Sequence, residues 1–401
     1  MRFNLPIPTM IAEAKAQIRF KRAGIPAPVD LIIETLIFIL VFFVCSLILE
    51  GIAYFVFLIP VMLTNESFLD ELLTSTQAGQ GTFNLETANE ISSQIMATPE
   101  ASIAILLATI GGIAGAFIYC RFIERRKLAT MGFRRRRFFR EYLLGLLVGS
   151  VMFGVAVLIA VAAGSMSYNG LAGASALIIV LFFVGYMVQG MSEEVIFRGY
   201  FLNTLARRQH MAIAVFVSSC LFGAAHLLNQ NVAALGIINI ILFGCFMAVY
   251  MLKRGSIWGA AAIHSAWNFT QGNIFGISVS GTAQQPSIFL FESTTDGVLI
   301  NGGAFGLEAG LAASIVLIIA IVIVLLLKCS DPAPRTLAGS DGNSQAVFVP
   351  GAGAQQLPFQ PVSPEYWQPP TMQAAIGEQA LLPQQQGQLG QQNWPPPPPQ
   401  Q

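Results

Sequence analysis

Charge is what this sequence has least of. Asp, Glu, Lys and Arg together make up 10% of its 401 residues, against about 25% in an ordinary soluble domain. That scarcity excludes a soluble globular surface. The 21 basic residues are matched by 21 acidic ones, so the basic excess of a nucleic-acid binder is missing and no nucleic-acid partner is expected. Cysteine is sparse too: Cys45, Cys120, Cys220, Cys245 and Cys329 include no CxxC pair, which argues against a disulfide framework and for packing roles. There is no HExxH run, and only three histidines occur. The first long apolar run begins near Leu31 and exceeds the apolar stretch of a signal peptide, so it is expected to remain as a membrane span.

What the chain has instead is apolar surface. Hydrophobic residues make up 54% of it, with a mean hydropathy of +0.65. An all-α, polytopic membrane protein of about eight transmembrane helices is expected, with apolar stretches near 31–60, 101–120, 142–163, 174–197, 211–229, 232–252, 255–271 and 304–328, each near the roughly 20 residues a bilayer requires. Lys and Arg fall in groups before Asp30, between Arg121 and Arg140, at Arg198, Arg207 and Arg208, at Lys253 and Arg254, and at Lys328 and Arg335. Eight crossings put every group on one side, so both termini are expected in the cytoplasm of a multi-pass cell-membrane protein. The loops at 61–100 and 272–303 hold Asp and Glu but no Lys or Arg, which suits the exterior. After Lys328 the chain turns to Pro, Gln, Gly and Ser, a composition that cannot bury enough apolar surface to fold. The segments expected are thus a cytoplasmic stretch at 1–30, two N-terminal spans within 31–141, a core at 142–328 and a disordered tail at 329–401. The tail could also dock to a proline-recognising partner of unknown identity through extended structure.

Against this background a few polar residues stand out: Glu193, Glu194, Arg198, His226, His264 and Asn268 lie in or beside apolar stretches. An ionisable group at membrane depth costs roughly 2.5–3.5 kcal/mol on insertion scales and is by default a functional-site hypothesis. On a helix, Glu194 and Arg198 face each other four residues apart, in the favourable order for an ion pair. Glu193 points about 100° away from Glu194 and is left to face a cavity as a general base. His264 and Asn268 share a helix face as adjacent donors, suited to a developing oxyanion. Phe222 shares a face with His226 and would stand as an apolar wall beside it. Taken singly, each has a plain structural reading: a solvated charged turn, or an interhelical hydrogen bond worth roughly 0.6–2 kcal/mol. Gathered in successive stretches, they point to catalysis.

The runs Glu193-Glu194-Val195-Ile196-Phe197-Arg198, Phe222-Gly223-Ala224-Ala225-His226 and His264-Ser265-Ala266-Trp267-Asn268 resemble, in order, the EExxxR, FxxxH and HxxxN motifs of the CPBP family. That family includes type II CAAX prenyl proteases and bacteriocin-processing or immunity proteins. The resemblance covers roughly residues 140–271 and implies an intramembrane endopeptidase acting on a membrane-associated peptide or protein. It implies water activation by Glu193 and His226, an oxyanion hole of His264 and Asn268, and a supporting role for Glu194 and Arg198. No cofactor is expected on the preferred glutamic mechanism. Zinc is the alternative, because Glu193, His226 and His264 could also form a ligand set with water in the fourth position. A non-catalytic immunity or scaffold protein is a further alternative. The absence of a clear internal repeat disfavours a transporter.

The motifs also set a geometric demand. If 174–197 and 211–229 were straight crossings, Glu193 and His226 would lie most of a bilayer apart. At least one of them is therefore expected to be strongly tilted, broken or re-entrant, with Gly185, Gly190 and Gly223 as candidate weak points.

Overall fold

The computed structural model describes residues 8–16, 29, 32, 33, 36, 40, 44–66, 69, 70, 73, 98–135, 137–207 and 209–330. The expectation of a disordered tail lies outside the described residues. The described chain is mostly helical, in the order α1 (Thr9–Ala16), α2 (Val44–Leu63), α3 (Pro99–Ala108), α4 (Ile110–Ile118), α5 (Phe138–Ala162), β1 (Met166–Leu171), α6 (Ala176–Glu194), α7 (Asn203–Ala206), α8 (Met211–Ala225), α9 (Ala234–Arg254), α10 (Ile257–Phe269), β2 (Phe289–Ser293), α11 (Val298–Asn301) and α12 (Leu311–Leu326).

Helix ends follow local chemistry. Ser175 Oγ accepts the Ile178 N–H at 3.3 Å to open α6, and Thr98 Oγ1 accepts the Ala101 N–H at 3.2 Å ahead of Pro99, the first residue of α3. These are the side-chain caps and the N-terminal proline that a helix start favours. Gly255, at φ +66°, closes α9 in the left-handed conformation and allows the tight turn into α10.

Four helical stretches are long and apolar enough to cross a membrane: Pro99–Ile123, Phe138–Ala162, Ala176–Ala206 and Ala234–Arg254. The chain is a membrane protein on this ground. Exposed apolar side chains such as Leu143, Leu147, Val151 and Leu158 on α5, and Ile315, Ile319, Val322 and Leu326 on α12, suit a lipid surround. The expected stretches at 211–229, 255–271 and 304–328 form the shorter helices α8, α10 and α12, of 15, 13 and 16 residues. The first expected stretch, 31–60, lies partly outside the described residues.

Helix α10 sits at the centre, with every residue from Gly259 to Asn268 buried. Small residues make that position available. A Cβ at Gly145 of α5 would lie 2.5 Å from the Gly259 carbonyl oxygen, and one at Gly149 would clash with the carbonyl of Ile263. Backbones that approach this closely pack by dispersion, the contact that small residues permit inside a membrane.

One element departs from the all-α expectation. Strands β1 and β2 pair antiparallel, with Met166 opposite Ser293, Ser167 opposite Glu292 and Tyr168 opposite Phe291. Tyr168 packs against the Phe289 and Phe291 rings at 6.1 and 5.4 Å. Cross-strand aromatic pairs of this kind stabilise a short ribbon, which ties the loop after α5 to the segment after α10.

Candidate active site

Glu193 and Glu194 close α6, and the chain continues as a π-helix over Val195–Leu202. A π-turn interrupts regular α-helix geometry and is frequent at functional sites. Arg198 lies within it. His226 caps the end of α8, whose 15 residues rise about 22 Å, short of the roughly 30 Å hydrocarbon core. The helix thus stops at His226 instead of running on through the expected 211–229 stretch.

The glycines expected as weak points lie where helices pack closely. A Cβ at Gly190 would lie 2.5 Å from Ser265 Oγ, one at Gly223 2.5 Å from Ile241 Cγ1, and one at Gly185 3.0 Å from Leu106 Cβ. They are sites of close helix approach. Gly190 in particular brings α6 against α10 one residue beyond His264.

Glu193, His226, His264, Asn268 and Phe222 line one cavity of about 480 Å³. Beneath it, Glu194 and Arg198 are fully buried and paired at 3.1 Å. Glu194 Oε1 is also 2.8 Å from His264 Nδ1, so one carboxylate oxygen serves both the guanidinium and the imidazole. An ionised carboxylate only accepts, so Nδ1 carries a proton and Nε2 is left to the cavity. The Arg198 guanidinium lies 4.2 Å from the centroid of the Phe222 ring, a cation–π contact that holds its charge where water is scarce.

His264 Nε2 is 3.6 Å from Glu193 Oε2. That oxygen is buried with no hydrogen-bond partner among the described protein groups, while Glu193 Oε1 accepts from Gln189 Nε2. Asn268 Nδ2 in turn donates to Gln189 Oε1 at 3.0 Å. Gln189 therefore links the carboxylate of α6 to the amide of α10. His226 Nδ1 is 2.8 Å from the Phe222 carbonyl. Because a carbonyl only accepts, Nδ1–H donates and Nε2 is the nitrogen free for chemistry. The Phe222 ring packs edge-on against both imidazoles, with centroids 4.8 Å from His226 and 6.0 Å from His264.

Residues 175–270 match a family model described as type II CAAX prenyl endopeptidase, Rce1-like. This segment is an Rce1-like domain. It holds all three motif runs and supports a membrane protease acting on a peptide or protein substrate. The chain matches no curated protein and no solved structure.

The Rce1-like domain does not supply the whole cavity. Leu47 and Glu50 of α2, Asn239 of α9, Ser280 and Glu308 also line it, and sequence reasoning singled out none of these. Two carried a signal. Glu50 stands within the apolar stretch 31–60 and Glu308 within 304–328, where a carboxylate is costly. Gln189 stood four residues before Glu193, on the same helix face. Glu193, His226 and His264 do not form a three-ligand metal cluster among the described residues, and the zinc alternative is left without support.

Proposed function

We propose that the chain is an intramembrane endopeptidase of the glutamic type. The observation that carries this reading is a single cavity in which Glu193 has an unpartnered buried oxygen facing His264, with the cavity-side nitrogen of His226 and the Asn268 amide on the same walls. Water held by Glu193 and His226 attacks the substrate carbonyl carbon and gives its proton to Glu193. The carbonyl π electrons move to oxygen, where the negative charge meets an N–H of Asn268 and the Nε2–H of His264 as the imidazolium, whose Nδ1–H stays on the Glu194 carboxylate. The C–N bond then breaks, and the amine leaves with a proton delivered through His226. Donors fixed in advance cost no reorganisation at that moment, and the Gln189 and Glu194 hydrogen bonds do the fixing.

The substrate is a membrane-associated protein or peptide, and the family's name suggests a prenylated CAAX protein. The chain crosses the membrane eight times with both termini in the cytoplasm, the shorter helices α8, α10 and α12 lying within the bundle. No metal takes part. Peptidomics of membranes containing wild-type protein or Glu193→Ala provides the test. A cleavage product present only with wild type is expected, and it persists after exhaustive metal removal. Identical peptides at equal membrane levels would sink the peptidase reading, and activity restored by zinc alone would sink the glutamic one.

A further inference from the structure

Glu308 lies outside the segment that the family model matches, yet it is only 8% exposed and lines the cavity that holds Glu193, His226 and His264. It has no Lys or Arg partner among the described residues. A buried carboxylate without a cation is costly to keep ionised. The titratable side chains that line the cavity with it are Glu50, Glu193, His226 and His264, besides Tyr186.

The backbone around Glu308 is built to hold it there. Asn239 Nδ2 donates to the carbonyls of Glu308 at 2.8 Å and Gly310 at 3.0 Å, and Asn239 Oδ1 accepts from Ser314 Oγ at 2.7 Å. The carboxylate accepts the Ser280 N–H. Ser280 adopts φ +48°, a left-handed conformation that a residue with a side chain rarely enters. The carbonyl of Ser280 accepts from Asn229 Nδ2 at 3.0 Å, three residues beyond His226. One strained residue thus joins the Glu308 carboxylate to the turn that carries His226. Gly281 completes the junction, since a Cβ there would clash with the Gln230 carbonyl.

We propose that Glu308 is a positioning residue for hydrolysis, acting through His226: its carboxylate, set by Ser280, steadies the imidazolium that forms when His226 carries the proton bound for the leaving amine. This rests on the peptidase reading above. It assigns a working group to a segment beyond the three motifs.

The test uses the full chain in liposomes with an internally quenched prenylated peptide ending in a CAAX sequence. In Glu308→Gln, which keeps an acceptor for the Ser280 N–H, kcat is expected to fall about 10- to 100-fold with KM unchanged, below the loss from removing a proton-moving group itself. Glu308→Asp is expected to recover part of it. A substrate-free readout accompanies this: the rate of diethyl pyrocarbonate modification of each histidine in mildly acidic buffer, where only neutral imidazole reacts. His226 is expected to react several times faster in Glu308→Gln, with His210 unchanged as the internal reference. If the Gln variant does not accumulate, the same increase, smaller, is expected in Glu308→Asp. An unchanged His226 rate, or a loss confined to KM, overturns the proposal. Equal cleavage by Glu193→Ala sinks the peptidase reading instead, and the histidine rates then judge Glu308 by themselves.

Discussion

The helices of the Rce1-like domain and the segment from Gly276 to Gly310 build walls of one cavity by different means. In α6 and α10 the reactive side chains sit at fixed helical spacing, and helix approach through Gly145, Gly149 and Gly190 decides what they meet. In the later segment, placement depends on left-handed backbone at Gly276, Ser280, Gly281, Gly302, Gly303 and Gly306 and on side chains that bind distant main-chain groups, as Asn239 does at Glu308 and Gly310. Asn301 does the same at Ser165. A helix carries its pattern in neighbouring residues. A loop of this kind carries its pattern in contacts 69 to 136 residues away along the chain. The first is written locally and the second is not.

Arg198→Ala attacks the helical side of this contrast most severely. It leaves Glu194 buried without its cation, and breaking a buried pair from one side costs about 3–5 kcal/mol. Loss of thermal stability and of membrane level is expected, with activity falling alongside because Glu194 also holds His264. Stability equal to wild type would show that the pair does not brace the helices.

Within the helical region, Asn268→Ala is expected to lower kcat about 10²–10³-fold if its amide meets the oxyanion. Gln189→Ala, which removes the two hydrogen bonds that link Asn268 and Glu193, is expected to cost less, about 10- to 30-fold, the scale of two net hydrogen bonds. Steady-state kinetics on the quenched peptide separates the two. A larger loss at Gln189 would reverse their roles.

The smallest effect belongs to the ribbon. Tyr168→Ala removes its ring contacts with Phe289 and Phe291, worth about 0.5–1.5 kcal/mol beyond area burial. Faster hydrogen exchange confined to 166–171 and 289–293 is expected, with kcat near wild type. A collapse of activity would show that the ribbon positions the site.

The legible part of the site was the part that violates composition. Glu193, Glu194, Arg198, His226, His264 and Asn268 stood out because polar groups are rare in stretches this apolar, and their spacing within each helix followed from 3.6 residues per turn. The Glu194–Arg198 pair was readable for that reason. The attachment of His264 to the same Glu194 oxygen was not, because 70 residues separate them. The glycines show the same limit from the other direction: Gly185, Gly190 and Gly223 suggested flexibility by type, whereas their neighbours make them points of close contact. Glu50 and Glu308 were as conspicuous by chemistry as the motif residues, but nothing nearby in sequence indicated that they share the cavity.

By itself the sequence determined that the chain enters a membrane, that it is mostly helical, and which residue types occupy each helical face, because hydrophobic burial and helical periodicity act over neighbouring residues. Only the tertiary structure decided which faces meet: Gln189 between Glu193 and Asn268, Glu194 shared by Arg198 and His264, the stop of α8 at His226, and Glu308 in the cavity that the histidines line. Those juxtapositions depend on how closely helix backbones approach and on hydrogen bonds to distant main-chain groups, and a pattern read along one segment carries no information about the partner it will find.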